Sequence, residues 1–84
     1  MKEIVLTDHA RLKLAVLARH GVHISEEAIR QTLLKPDRTD TGYSDRKVAQ
    51  AAFNGAHVLR VVYEETEQAL IVITLYPGRK DRYA

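Results

Sequence analysis

Between two stretches whose apolar residues alternate at the strand period stands the dipeptide Asn54-Gly55. Both residue types tolerate positive φ, which a two-residue type I′ hairpin requires, so the pair predicts two antiparallel strands joined at that point. The turn makes Phe53 face Ala56, and it sets Ala49 opposite Arg60 and Lys47 opposite Val62. A second turn centred on Thr66-Glu67 returns the chain from Gln68 to Tyr76, and Pro77-Gly78 ends the last strand. One face of this meander carries Ala49, Ala51, Phe53, Val58, Val62, Ile71, Ile73 and Leu75, and must be covered. The other mixes Arg46, Gln50, His57, Leu59, Val61, Tyr63, Val72, Thr74 and Tyr76, the composition of a surface half wet or used by a partner.

The cover comes from the N-terminal half. Thr7 or Asp8 can cap a helix on which Ala10, Leu14 and Leu17 form one apolar stripe, and Gly21 ends it. A second helix starts at Ser25, with Glu26 and Glu27 at the positive end of its dipole, and Ala28, Ile29, Thr32 and Leu33 on its inner face. Lys35-Pro36 stops it, and the polar run from Asp37 to Asp45 reads as a loop. The expected fold is α+β: two helices packed on one face of a three-stranded antiparallel meander, to which Ile4 to Leu6 can add a short edge strand. At 84 residues there is room for one core only, so residues 1–84 form a single domain. A chain this small has marginal stability unless it self-associates, which makes a homodimer one expected state.

The chain has no cysteine, which excludes disulfides, thiolate zinc sites and a cysteine nucleophile, and fits a reducing compartment. Asp8 and His9 interrupt the apolar start before a signal peptide or membrane span develops, so the expected location is the cytoplasm, with no membrane partner. A net charge of +2 permits a polyanionic partner without demanding one. There is no P-loop, dinucleotide fingerprint, nucleophile elbow or zinc-knuckle pattern.

Several residues can carry chemistry. In the expected register Arg60 shares the covered face with Val58, Val62, Ile71 and Ile73, where a charge needs a partner such as Asp8 or Glu64, a route to solvent, or a ligand. Lys47 lies diagonally across and can share an anion with it, or serve only to protect an edge strand. His9 falls in the first turn of helix 1, where peptide N–H groups favour anions and an imidazole can act as acid or base; the plain alternative is a surface histidine. His20 and His23 flank Gly21 without a third metal ligand. Arg79, Lys80, Arg82 and Tyr83 form a basic tail with one aromatic residue, either a phosphate-binding and base-stacking element or a frayed end.

The run Leu59-Arg60-Val61-Val62-Tyr63, an acidic turn, Ile71-Val72-Ile73-Thr74 and a basic tail with Gly78-Arg79 resembles the C-terminal half of RelE/ParE-type toxins. The front part, Thr7-Asp8-His9-Ala10 through Arg19-His20-Gly21-Val22 to Ile24-Ser25-Glu26-Glu27 and Pro36, resembles a small uncharacterised prokaryotic domain family grouped with them. The resemblance implies a toxin-like RNA-binding protein, an endoribonuclease acting on mRNA without metal or other cofactor. Its implied partners are RNA or the ribosome and a cognate antitoxin. It implies that Arg60 and, by way of distant nuclease relatives with a helix-borne histidine, His9 are catalytic, and that Arg79 and Tyr83 bind substrate, although Arg79 to Tyr83 is shorter than the family spacing; Lys47 and Arg82 join the expected substrate-binding set from their places beside Arg60 and in the basic tail. Metal-free RNA cleavage needs a base for the 2′-hydroxyl, an acid for the leaving oxygen and cations for the phosphorane, and His9 with Arg60 can supply part of that set if they share one anion. The alternative is a non-catalytic interaction module, or a homodimer, using the mixed sheet face.

Overall fold

The computed structural model describes residues 2–42 and 44–83. Tyr43, inside the run expected to be a loop, lies outside them. The element order is β1 (Glu3–Leu6), α1 (Asp8–Arg19), α2 (Glu26–Leu34), β2 (Arg38–Thr41), β3 (Lys47–Ala52), β4 (His57–Glu65) and β5 (Ala69–Arg79). The three expected strands are present, but they are the centre of a five-stranded mixed sheet in the order β1-β5-β4-β3-β2. Strand β1 runs parallel to β5, and every other pair is antiparallel.

Both helices follow their apolar stripes. Thr7 caps α1, its hydroxyl accepting from the Ala10 N–H at 3.2 Å and donating to the Val72 carbonyl at 2.9 Å, so the helix start is tied to β5. Gly21, at φ +82°, ends the helix as expected, and Val22 N–H closes the turn on the Leu17 carbonyl at 2.9 Å. Ser25 caps α2, which buries Ile29, Thr32 and Leu33. The Thr32 hydroxyl is satisfied by the Ala28 carbonyl at 2.8 Å. No helix among the described residues is long and apolar enough to cross a membrane.

The first hairpin departs from expectation by one residue, with large consequences. Neither Asn54 nor Gly55 has positive φ. The Asn54 side-chain oxygen instead accepts from the N–H groups of Ala56 at 2.9 Å and His57 at 2.8 Å, an Asx turn that lengthens the loop and pairs Ala52 with Val58. Gln50, not Ala49, therefore lies opposite Arg60, and Lys47 faces Tyr63. Because side chains alternate, the slip turns every β4 side chain over. Leu59, Val61 and Tyr63 join Ala10, Ile29, Leu33, Ala49, Val72 and Leu75 in the core under the helices. Arg60 goes to the open face.

A β-bulge between Val62 and Tyr63 changes the parity of β5 as well: Val62 pairs with Thr74, but Tyr63 pairs with Val72. Val72 and Leu75 thus both reach the core, displacing the expected Ile71 and Ile73. Strand β5 continues through Pro77 and Gly78 to Arg79 rather than stopping there. Strand β1 covers it only from Ala69 to Val72, so at Pro77 it is an edge, where a missing N–H breaks no second ladder.

The expected loop contains β2. Asp37 anchors its start, donating from its N–H to the Gln50 carbonyl at 2.8 Å and accepting the Ala52 N–H on its carboxylate at 3.1 Å. Two successive left-handed residues, Ser44 and Asp45, belong to the β2–β3 connection. The positive φ pair expected at Asn54-Gly55 is found there instead.

Candidate functional site

Alternation places Arg38, Asp40, Gln50, Arg60 and Tyr76 on the face away from the helices, side by side across four strands. Arg60 is the centre. Only 8% of the residue is exposed, and its guanidinium donates to the Gln50 side-chain oxygen, to the Tyr76 hydroxyl at 3.1 Å and to the Asp40 carboxylate at 3.5 Å. Neither Asp8 nor Glu64 is its partner; Glu64 pairs with Arg46 at 3.2 Å.

The segment after β5 folds back over this network. Tyr83 lays its ring on the Arg60 guanidinium, 4.3 Å from carbon to ring centroid, while Tyr76 stands 5.9 Å away by the same measure. The close approach depends on Gly78, because a methyl there would lie 2.5 Å from a ring carbon of Tyr83. The Tyr83 carbonyl accepts from Gln50 at 2.9 Å and Arg38 at 3.4 Å. The tail expected either to fray or to bind phosphate is docked through its aromatic residue, while Arg79 and Arg82 remain exposed.

Electrostatically the network holds two guanidinium groups and one carboxylate. Asp40 is held below the usual carboxylate range, chiefly by hydrogen bonds from Arg38, with burial opposing and the charges of Arg38 and Arg60 adding to the effect. It is ionised at neutral pH and neutralises one cation. Among the described residues the network holds no second carboxylate for the other cation, so the open face favours an anion. An anion reaching Arg60 has to displace Asp40 from its longer contact, 3.5 Å against 3.0 Å to Arg38, and move the Tyr83 ring.

The other sequence-chosen residues are not brought to this point. His9 is exposed in the first turn of α1, which packs on the opposite face against β5 and β1, so it shares no anion with Arg60. Lys47 has the parity of the helix-side residues and pairs with Glu65 at 3.2 Å, not with Arg60. Glu65 also accepts from Lys2, and these two hydrogen bonds hold its carboxyl below the usual range. Arg79 pairs with Asp81 at 3.3 Å, both well exposed. Among the described residues no three metal-ligating side chains cluster.

A model for a domain of unknown function, DUF4258, matches residues 6–77. The chain belongs to the DUF4258 family. The matched span contains both helices, all of β2, β3 and β4, and most of β5, but stops before Tyr83. No curated protein matches this DUF4258 chain. Among solved structures it is similar to the Brucella abortus ribonuclease toxin BrnT, at a TM-score of 0.61 and 21% identity, covering 95% of this chain and 100% of that one. At that identity the likeness is one of fold.

Sequence reasoning singled out Arg60 and Tyr83 but missed that they touch, and it passed over Arg38 and Asp40. Gln50 and Tyr76 had been assigned to the open face correctly. The available signal was the β4 pattern itself, in which Leu59, Val61 and Tyr63 alternate with Arg60 and Glu64.

Proposed function

We propose that this DUF4258 domain is a toxin-like RNA-binding protein, and an endoribonuclease, whose working surface is the open sheet face centred on Arg60. The observation that carries the reading is an arginine nine-tenths buried yet held by neutral oxygens and one shared carboxylate, beside a second cation and under an aromatic ring. A purely structural arginine is better served by a close carboxylate of its own. The fold shared with a ribonuclease toxin supports the same reading, as does the resemblance to RelE/ParE-type toxins.

In this mechanism Arg60 and Arg38 bind the scissile phosphate and stabilise the charge that develops on its oxygens. Tyr83 exchanges its stacking on the guanidinium for stacking on a base. The Tyr76 hydroxyl, the Tyr83 phenol and Asp40 are the groups in reach for proton transfer. His9 and Lys47 lie outside this set. Arg79 at the end of β5 and Arg82 beyond it, both exposed, extend the cationic track for the rest of the RNA strand. A cognate antitoxin completes the reading as a partner. Leu12 and Val16, one turn apart on the outside of α1 and 63% and 40% exposed, offer apolar surface to such a chain or to a second copy.

Cleavage of RNA by the purified protein, alone and with ribosomes, tests the proposal. Replacing Arg60 by Ala should lower cleavage by about 10²-fold or more, the scale of a lost transition-state charge contact. Stability must be measured on the same samples, since a small domain that unfolds also loses activity. A parent protein inert on RNA and ribosomes, or a folded Arg60 variant as active as the parent, sinks the enzyme reading.

A further inference from the structure

The open face is charged at one end and apolar at the other. Pairing sets Asp40, Val48, Val62 and Thr74 in one line across β2, β3, β4 and β5, beside the line that holds Gln50, Arg60 and Tyr76. One step further along the strands, Val5 of β1 stands next to Ile71 of β5. Val5, Val48, Val62 and Ile71 are all absent from the core under the helices, as their parity requires. Val5 is 37% exposed, and Val62 and Ile71 are half-buried on the side of the sheet away from both helices. An aliphatic strip on an otherwise polar face marks a contact surface for another macromolecule.

Dimensions and charge limit what that macromolecule is. Aliphatic side chains give a nucleobase no ring to stack on and a phosphate no counter-charge, so the strip suits protein rather than RNA. From Val5 on β1 to Val48 on β3 there are three strand spacings, about 14 Å, which an α-helix laid across the strands covers in about three turns. Such a helix gives this face of the sheet the second layer it lacks. A second copy fits less well, because the segment that carries Tyr83 stands over Gly78 and Arg60 and would hold another flat face away from the strip. The charge at the Arg60 end then selects the helix. Arg46 and Glu64 beside Val62 balance each other, whereas Arg38 and Arg60 share the one carboxylate of Asp40. Asp40, in line with Val62, holds Arg60 at 3.5 Å but Arg38 at 3.0 Å, so a carboxylate arriving over Val62 can take Arg60 while Asp40 keeps Arg38.

We propose that the strip is the docking site of an acidic amphipathic helix from a partner protein, its apolar residues on Val5, Ile71 and Val62 and one of its carboxylates on Arg60. The inference rests on the reading of Arg60 as the RNA-binding centre and names what regulates it, because a carboxylate and a phosphate cannot hold that guanidinium together. Partner and RNA are then mutually exclusive on one face. The site lies on the opposite side of the sheet from Leu12 and Val16.

A displayed library of helical peptides of about 14 residues, selected on the intact protein, supplies the probe. The recovered sequences should carry apolar residues at i, i+3 or i+4 and i+7 with Glu or Asp beside them, and the best should give saturable NMR shifts at Val5, Val62, Ile71 and Arg60. Replacing its acidic residues by Gln should weaken binding to the parent protein by about tenfold or more, but leave binding to a folded Arg60→Met variant unchanged. Val5→Gln and Ile71→Gln should each weaken binding severalfold while the signals of Leu59, Val61 and Leu75 stay in place. The peptide should also release a short single-stranded oligoribonucleotide from Arg60. The proposal is overturned if the recovered peptides are basic or shift other residues, if parent and Arg60→Met discriminate against the Gln peptide equally, or if peptide and oligoribonucleotide bind together. It is also overturned if the oligoribonucleotide itself shifts Val5 and Ile71, or if sedimentation finds a dimer that already covers them. A peptide docked in this way on a protein that cleaves no RNA would refute the enzyme reading alone. RNA cleavage that depends on Arg60, with no peptide at the strip, would refute the docking site alone.

Discussion

The two faces of this sheet bury adjacent residues of one strand in opposite ways. Toward the helices, Leu59, Val61 and Tyr63 pack against Ala10, Ile29 and Leu33, and nothing there depends on charge. Away from them, Arg60 is nearly as inaccessible, but what surrounds it is a set of hydrogen-bonding groups and one aromatic ring from the segment after β5. The first face is held by apolar area and shape; the second by contacts that an incoming anion can replace one at a time. Stability and function are thus separated by the pleat of the sheet, and neighbouring positions should report on different properties.

Neighbouring substitutions give the largest expected contrast. Leu59→Ala leaves a cavity in a site that is 1% exposed and should cost about 2–5 kcal/mol of stability, with any loss of activity following from unfolding. Arg60→Met keeps the length of the side chain and removes the charge, leaving Asp40 with Arg38; it should cost about 1–2 kcal/mol through the unpaired Gln50 and Tyr76 oxygens. On RNA, however, it should lose about 10²-fold or more while folded. Denaturant unfolding beside a cleavage assay reads both. If Arg60→Met unfolds the domain as severely as Leu59→Ala, the open face is a second core and the separation fails.

An intermediate effect is expected at Gly78. A methyl placed 2.5 Å from the Tyr83 ring has to expel that ring from the guanidinium, but the ring belongs to the short segment after β5 and not to the sheet ladder, so the sheet should survive. Gly78→Ala and Tyr83→Ala should therefore alter RNA affinity by similar factors, and the double variant should be no worse than either. Additive effects would mean that Gly78 acts through something other than Tyr83.

How the sequence conveyed these faces is uneven, and the reasons are local. The helices were legible because their signals agree: Thr7 and Ser25 cap, Gly21 terminates, and the apolar stripes name Ala10, Ile29 and Leu33 directly. The sheet misled at one dipeptide. Asn54-Gly55 favours a type I′ turn on intrinsic φ preference, but the same asparagine can cap Ala56 and His57 with its side chain, and that alternative won. A one-residue difference carried Arg60 from the covered face to the open one and dissolved its expected meeting with His9. The bulge at Val62 and Tyr63 has no comparable signature in the sequence. Strand β2 was hidden because Arg38-Thr39-Asp40-Thr41 is polar throughout; as an edge strand it contributes a charged network rather than apolar area. Of the site, Arg60 stands out as a charge among apolar strand residues and Tyr83 as the aromatic of a basic tail, and the resemblance points to both, whereas their contact depends on a fold-back that no local pattern encodes.

The exposed cations at and beyond the end of β5 should have a smaller, graded influence. Arg79→Gln and Arg82→Gln should each weaken RNA binding modestly and reduce the slope of log affinity against log salt by about one unit or slightly less, because each releases one phosphate contact. Their effect on stability should be negligible, since the Arg79–Asp81 pair is 73% and 70% exposed. An unchanged slope would remove this segment from the RNA path and leave only the docking of Tyr83 to explain it.

The smallest expected effect is on the dependence of stability on pH, and it discriminates between the faces in a different way. Asp40 and Glu65 both have folded-state carboxyls below the usual range, the first chiefly through hydrogen bonds from Arg38 and the second through those from Lys2 and Lys47. A depressed folded pKa stabilises the native state above the unfolded value, about 3.9 for Asp and 4.3 for Glu, and that contribution is lost as pH falls through the lower folded value. Between pH 7 and about pH 5 these groups should leave stability unchanged, and below that they should erode it. Asp40→Asn should flatten the acid limb, as should added salt, since the pairs are partly exposed and screened. The helix-side core contains no carboxylate, so on acidification the signals of Arg60 and Tyr83 should shift before those of Leu59, Val61 and Leu75. Simultaneous loss of both sets, with an acid profile of Asp40→Asn identical to the parent's, would show that Asp40 does not hold the open face and that the two faces melt as one.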